Sequence, residues 1–223
     1  MKNKLAWLEV GLLIAPFVAL VVLWNQLPAR VPIHWNLRGE IDGWAPKAIG
    51  LVITPVIALL AVALLHVLSW LDPKLRRNLD RTDRMHKVLQ IVSVVFAAFF
   101  AAIFAVQIAA ALDRTVPAAR VLNAGVLTFL AILGNYLGTL RPNYFIGIRT
   151  PWTLENPQTW RAAHRLGGRL MFFGSLFLLV LEFFISESAS GVLLLTFVLL
   201  LALWSLVYSW RHYRTHGIAR KTL

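Results

Sequence analysis

Six apolar runs, each about as long as a bilayer is thick, take up most of this 223-residue sequence and leave only short polar connectors. A helix rises ~1.5 Å per residue, so ~20 residues cross the ~30 Å hydrocarbon core. The runs are Leu5–Leu27, Ile49–Leu71, Val88–Leu112, Val121–Leu140, Leu166–Ile185 and Gly191–Trp210. Lipid offers no water to backbone N–H and C=O groups, so such runs must be helices. The expected fold class is all-α: a polytopic membrane protein, a bundle of six transmembrane helices. The fifth run is the weakest, because Arg169 lies in its first turn and needs tilt or a snorkelling side chain. Pro16 and Pro55 fall inside the first two runs and predict kinks. Lys2 and Lys4 ahead of the first run resemble a signal peptide. That run is too long for one, and no small-x-small cleavage site precedes Arg30, so it is expected to stay as an anchor.

A soluble domain of this size needs more polar surface than 14% charged and 59% hydrophobic residues supply. The formal charge of +12 is not spread evenly. Of the 22 Lys and Arg, 17 lie in the N-terminus, the 72–87 loop, the 141–169 stretch and the C-terminal tail. The other 5 lie in the 28–48 and 113–120 loops, and the 186–190 loop has none. The positive-inside rule then places both termini in the cytoplasm and explains the basic excess without a nucleic-acid partner. A multi-pass protein of a cell membrane is expected, with the lipid bilayer as its first partner. The absence of Cys excludes disulfides, thiol catalysis and thiolate metal sites.

Residues 141–165 are too particular for a connector. Pro142 is expected to end span four just after Leu140, and Gly147 and Pro151 break any continuing helix. Asn156-Pro157 reads as an N-cap followed by Pro at the first helical position, so a helix is expected to start there and run toward span five. Trp160 and His164 then share a face, with Arg161 and Arg165 as a basic stripe beside them. Trp152 and Trp160 would suit the headgroup level, and the Arg residues the lipid phosphates.

Asn143, Gly147-Ile148-Arg149-Thr150-Pro151-Trp152-Thr153-Leu154, Trp160 and His164-Arg165 resemble the signature of the SdpI family of bacterial membrane proteins. The outer loop agrees. Leu27-Pro28, Val31-Pro32-Ile33-His34-Trp35-Asn36, Gly39-Glu40-Ile41-Asp42-Gly43-Trp44 and Lys47 resemble a small module of unknown function that accompanies many such proteins. The resemblance implies two halves, 1–112 with the outer-loop module and 113–223 with the cytoplasmic motif loop, in a bacterial cell membrane. It also implies a role: the family's namesake is an immunity protein against a secreted peptide toxin and is thought to hold a cytoplasmic transcriptional repressor at the membrane. Asn143, Gly147, Arg149, Thr150, Pro151, Trp152, Trp160, His164 and Arg165 are the cytoplasmic candidates for partner or lipid contact. Pro32, His34, Trp35, Gly39, Glu40, Asp42 and Trp44 are the outer candidates.

In the outer loop Asp42-Gly43 predicts a turn, with Gly39 as a second point of backbone freedom, and Trp35 and Trp44 as membrane anchors. His34, Glu40 and Asp42 offer an imidazole and two carboxylates to a metal, but their spacing matches no standard site. Local hydrogen bonding and pairing with Arg38 is the stronger reading, and no cofactor is expected. Ionisable and amide groups inside spans are functional candidates. Glu9, His66 and Asn135 fall toward the cytoplasmic third; Gln107, Asn123 and Glu182 fall toward the outer third. Glu9 and His66 are placed to exchange a proton. Gly134 and Gly138 form a small-xxx-small pair that predicts tight packing of span four, and the alanines of span three favour close approach too. The leading function is therefore an immunity or receptor-like membrane protein, and the alternative a small transporter or proton-conducting protein. Enzymatic activity ranks last, since no nucleophile–base pair or zinc-protease helix is present; a lipid-phosphate enzyme would have to use Arg149, Arg161, Arg165 and His164.

Overall fold

The computed structural model describes residues 2–36, 38–74, 83–112 and 116–216. Much of the basic 72–87 loop, part of the 113–120 loop and the last residues of the tail lie outside that set. The elements in chain order are α1 (Lys2–Leu23), β1 (Arg30–Trp35), β2 (Ile41–Pro46), α2 (Lys47–Leu71), α3 (Asp83–Ala111), α4 (Ala118–Leu137), α5 (Pro151–Glu155), α6 (Pro157–Leu181) and α7 (Glu187–His216). All six long helices are apolar enough to cross a membrane. The protein is thus an all-α, multi-pass membrane protein of six spans. Helices α1 and α2 run through Pro16 and Pro55. Helix α6 starts well before the apolar run at Leu166, because Asn156 caps it and Pro157 opens it. The motif helix and the fifth span are therefore one continuous helix.

The outer connector between α1 and α2 is a β-hairpin, with β1 and β2 antiparallel. Its turn is not at Asp42-Gly43, which lies within β2 with Gly43 opposite His34. The Asn36 side chain decides this. Its Oδ1 accepts from the N–H groups of Arg38 (2.8 Å) and Glu40 (3.1 Å), and Gly39 takes φ +80° to complete the reversal. An Asx turn with glycine in the left-handed region outcompetes a two-residue Asp-Gly turn. The hairpin rests on the bundle through Val31, which is fully buried with Leu20, Leu27, Leu51, Phe104 and Ile108. Gly50 makes room for it: a Cβ there would lie 2.7 Å from Val31 Cγ2. Lys47, at the start of α2, reaches across to donate to the carbonyls of Trp24 (2.9 Å) and Leu27 (3.3 Å). A cation there satisfies orphan carbonyls where α1 ends and opposes its negative dipole end.

The tightest helix crossing is between α4 and α6. A Cβ on Gly134 would sit 2.7 Å from the Phe172 nitrogen, and one on Gly168 would sit 2.7 Å from the Gly134 carbonyl oxygen. Backbones touch here, as the Gly134/Gly138 spacing predicts; Gly168 completes the pair from the other side. Beside the crossing Val88, Val92, Leu137, Leu140 and Trp160 form a second buried core. Outward, Val21, Leu60, Phe173, Phe177, Phe183 and Leu203 are exposed, as a lipid-facing surface requires. Trp7, Trp70 and Trp210 are exposed at the end of the bundle where both termini lie, forming an interfacial belt.

Gly134→Ala or Gly168→Ala is expected to lower the apparent unfolding temperature of the detergent-purified chain, at a cost of about 1–3 kcal/mol for overpacking. Gly11→Ala, where nothing lies within 4 Å, should leave it unchanged or raised. Equal behaviour of the three variants would show that the crossing is not close-packed.

Candidate functional site

The 141–150 loop is folded by its own polar side chains. Asn143 is buried and uses its full hydrogen-bonding capacity: Nδ2 donates to the carbonyls of Arg141 (2.9 Å) and Ile146 (3.0 Å), while Oδ1 accepts from the N–H groups of Phe145 (3.0 Å) and Ile146 (2.7 Å). Asp72, fully buried just past α2, accepts from the N–H of Lys74 (2.8 Å) and of Tyr144 (2.6 Å). A carboxylate in the first cytoplasmic connector thereby pins the loop that follows span four. The Lys74 ammonium lies 4.2 Å from the Tyr144 ring centre, and Arg149 donates to the Tyr144 carbonyl at 3.1 Å.

The loop then wraps onto α6. His164 is enclosed, with its ring stacked on Trp160 at 3.9 Å between centres. Its Nδ1 faces the Trp160 carbonyl (2.9 Å), so it carries the hydrogen, and Nε2 accepts from the Ile148 N–H (3.0 Å). These two partners fix a neutral Nδ1–H tautomer. Gly147 has φ +109°, and a Cβ there would collide with His164 Nε2, so both conformation and space require glycine. Thr150 and Thr153 form a reciprocal capping box that starts α5, with Pro151 as the first residue. Asn156 caps α6 by accepting from Gln158 N–H (2.8 Å) and Thr159 N–H (3.0 Å).

Three further bonds tie the motif to its neighbours. Trp160 Nε1 donates to the Leu140 carbonyl (2.9 Å) at the end of span four. The Thr150 hydroxyl donates to Ser209 Oγ (2.9 Å), and Thr159 Oγ1 meets His212 Nδ1 at 3.1 Å, both on α7. The motif is a staple that joins the inner ends of α2, α4, α6 and α7. Trp160 does not anchor at the headgroups as expected: it has no exposed surface, because its indole fills the gap beside the glycine crossing. Asn143, Thr150 and His164 are also buried, so they hold the loop and do not contact lipid or partner. His164 therefore has no exposed surface to offer a lipid headgroup. Gly147, Arg149, Pro151 and Arg165 are exposed and Trp152 is half-buried, so these are the accessible members of the motif.

At the other end of the bundle, His34 Nδ1 and Asp42 Oδ1 lie 2.5 Å apart across the two strands, while Glu40 accepts from Asn36 Nδ2 at 2.8 Å. The three residues weighed as a weak metal alternative are thus divided into two separate pairs, and no group of three such ligands exists among the described residues. Neither acidic residue turns to Arg38 in these bonds. Pro32 is buried, Trp35 half-buried, and Trp44 nearly half exposed at the rim. Gly39 at the hairpin tip abuts Ala119 and the Glu187 carboxylate, so the tip rests on the outer ends of α4 and α7.

Within the spans the structure unites some expected groups and separates others. His66 Nε2 lies 2.9 Å from Glu9 Oε1, and Ser93 Oγ donates to Glu9 Oε2, joining α1, α2 and α3. Glu182 accepts from Ser190 Oγ (2.6 Å), which accepts from Asn123 Nδ2 (3.1 Å). Thr54 donates to Gln107 at 2.7 Å. Asn135 does not join Glu9 and His66; it is exposed on the outer face of α4, because Gly134 takes the inward position at the crossing. Asp72, Ser93, Thr159, Ser190, Ser209 and His212 were not legible as site residues. Only Asp72-Pro73, a carboxylate at a helix end before proline, carried a local signal.

Asp72→Ala should leave the buried Tyr144 N–H unsatisfied and destabilise the chain by about 1–3 kcal/mol. Trypsin cleavage after Arg149 should accelerate in the folded protein, and Asp72→Asn, which keeps one acceptor, should fall between. Unchanged cleavage in Asp72→Ala would show that the loop is held by other means.

Comparison with known proteins adds to this geometry. Residues 11–59, from within α1 to within α2 and including the hairpin, match a domain of unknown function (DUF1648). The immunity protein SdpI of Bacillus subtilis (strain 168) is 24% identical over 198 residues, spanning 89% of this chain and 90% of that protein. No solved structure matches. Residues 139–209, which run from the end of α4 through the staple to Ser209, match the SdpI/YfhL protein family. The chain is a multi-pass bacterial membrane protein whose C-terminal half carries a match to the SdpI/YfhL protein family and whose N-terminal half carries a match to DUF1648.

Proposed function

We propose that this protein is an immunity and receptor-like membrane protein that meets a secreted peptide toxin at the outer hairpin and transmits occupancy to a cytoplasmic repressor. The observation that carries the reading is the path of α7. Its outer end touches the hairpin tip through Glu187, and its inner end is bonded to the motif through Ser209 and His212. A ligand that changes the seat of the hairpin therefore acts on a helix that also holds the cytoplasmic loop. Transmission requires that the toxin prefer one arrangement of α7 over another; a connecting helix alone does not provide that preference. The exposed outer surface of the hairpin supplies Ile33, Trp44, Glu40 and the His34–Asp42 pair, a mixture of apolar and acidic groups suited to a cationic amphipathic peptide. The inner surface supplies Arg149, Tyr144, Phe145 and Leu154.

Expression in a toxin-sensitive bacterium is expected to raise survival in the presence of the cognate peptide. Trp44→Ala with Asp42→Asn should reduce protection at least tenfold at unchanged membrane abundance. Thr150→Val, which removes the bond to Ser209, should keep protection and lose toxin-dependent retention of the repressor at the membrane. Full protection by the hairpin variant would move the contact surface elsewhere.

A second reading, proton conduction, is favoured by the Glu9–His66–Ser93 cluster. Against it, the next polar pair along α2 is at Thr54, twelve residues and ~18 Å away. Reconstituted vesicles should show no proton flux above protein-free controls; flux abolished by Glu9→Gln would establish this second reading in place of the first.

A further inference from the structure

A groove runs along the lipid-facing side of the α4–α6 crossing near its cytoplasmic end, lined by Gly134, Asn135, Gly138, Arg165, Arg169 and Phe172. Its floor is backbone, because Gly134, Gly138 and Gly168 present no side chains. The Arg165 stem lies along Gly138, whose Cβ would be 3.5 Å from Arg165 Cγ. Arg165 and Arg169 are one turn apart on α6 and both exposed. Among the described residues neither guanidinium has a hydrogen-bond or ion-pair partner, and no carboxylate lines the groove. Counting ~20 residues back from Leu181, the outer end of α6, puts the inner boundary of the hydrocarbon near Arg161. The two cations thus lie about one and two turns inside it, where an unpaired charge is disfavoured unless an anion or interfacial water reaches it. Directly beyond them Leu170, Phe173 and Phe177 are exposed and apolar.

We propose that this groove binds the phosphodiester headgroup of an anionic phospholipid from the inner leaflet. The two guanidiniums hold the phosphate oxygens in the paired geometry that Arg offers and Lys does not. The Asn135 amide reaches the glycerol or ester oxygens, and one acyl chain lies along Phe172 and Phe173. Two cations without a neighbouring carboxylate repel the ammonium of a zwitterionic lipid, so the site selects net negative charge. The bound lipid neutralises the charges that make the fifth span the weakest in the sequence, and it sits against the crossing that carries the motif staple.

The test is native mass spectrometry and thermal unfolding of the full chain with phosphatidylglycerol, phosphatidylcholine or inorganic phosphate. Phosphatidylglycerol is expected to be retained at least tenfold more strongly than phosphatidylcholine and to raise the unfolding temperature, while inorganic phosphate does neither. Arg165→Gln with Arg169→Gln should lose the preference. Arg161→Gln, one turn earlier on the same helix and outside the groove, should keep it; Asn135→Leu, which retains both cations, should weaken retention several-fold. Should the double variant fail to fold, Arg169→Gln alone is expected to show the same loss in smaller degree. Equal retention of the two lipids, an equal loss in Arg161→Gln, or an equal effect of inorganic phosphate would each overturn the proposal.

Discussion

Backbone meets backbone where α4 crosses α6, and that contact at Gly134 and Gly168 sets the position of most of the C-terminal half. In lipid, apolar side chains gain little by leaving the solvent for one another, so close approach and van der Waals contact do much of the work of association. Once the two helices touch, the Leu140 carbonyl at the end of α4 stands over the Trp160 indole. The 141–156 connector must then turn back within a narrow space. Gly147, the Asn143 bonds, the Thr150 capping box and the His164 ring are the means by which it does so. The motif's composition follows from this geometry: each buried polar group answers a backbone group that a tight reversal leaves without a helical partner.

The same demand for satisfaction orders the rest of the bundle. Lys47 closes the carbonyls where α1 ends, Asp72 closes the N–H of Tyr144, and Glu182 holds Ser190 and through it Asn123. The Lys47, Asp72 and Asn123 bonds cross between elements distant in sequence, so each both removes an unsatisfied group and fixes a helix position. The two ends of the molecule are built differently as a result. The outer end is a small hairpin resting on an apolar core, with exposed side chains on its free surface. The inner end is a closed hydrogen-bonded staple whose exposed residues are mainly basic and aromatic.

This division gives the proposed activity its physical setting. Under that proposal a peptide arriving from outside would meet the hairpin and the rims of α4 and α7, while the staple holds the opposite ends of those helices. Helix α7 belongs to both ends, and a staple of directional bonds is sensitive to small movements of the helices it joins. An anionic lipid between α4 and α6 would act on the same crossing from the membrane side.

The number of spans and the start of α6 at Asn156-Pro157 were determined by the sequence alone, and the expected orientation rests on its charge asymmetry. Hydrocarbon thickness, charge asymmetry and cap chemistry are local or additive properties, and the residues that report them are contiguous. The Gly134/Gly138 spacing likewise foretold a close crossing, and Glu9 was placed at a depth matching His66. The tertiary structure alone decided which partners meet. Trp160 became a core residue because the crossing left a space of its size, and Asn135 turned outward because its neighbour Gly134 took the inward position. Asp42-Gly43 became strand because Asn36 and Gly39 offered a better turn and the bundle gave Val31 a pocket. Ser93, Ser209 and His212 are ordinary polar residues in long helices until folding sets them beside Glu9, Thr150 and Thr159. Hydrogen bonds between helices depend on relative rotation and depth to within about an ångström, and no local pattern in the chain encodes that.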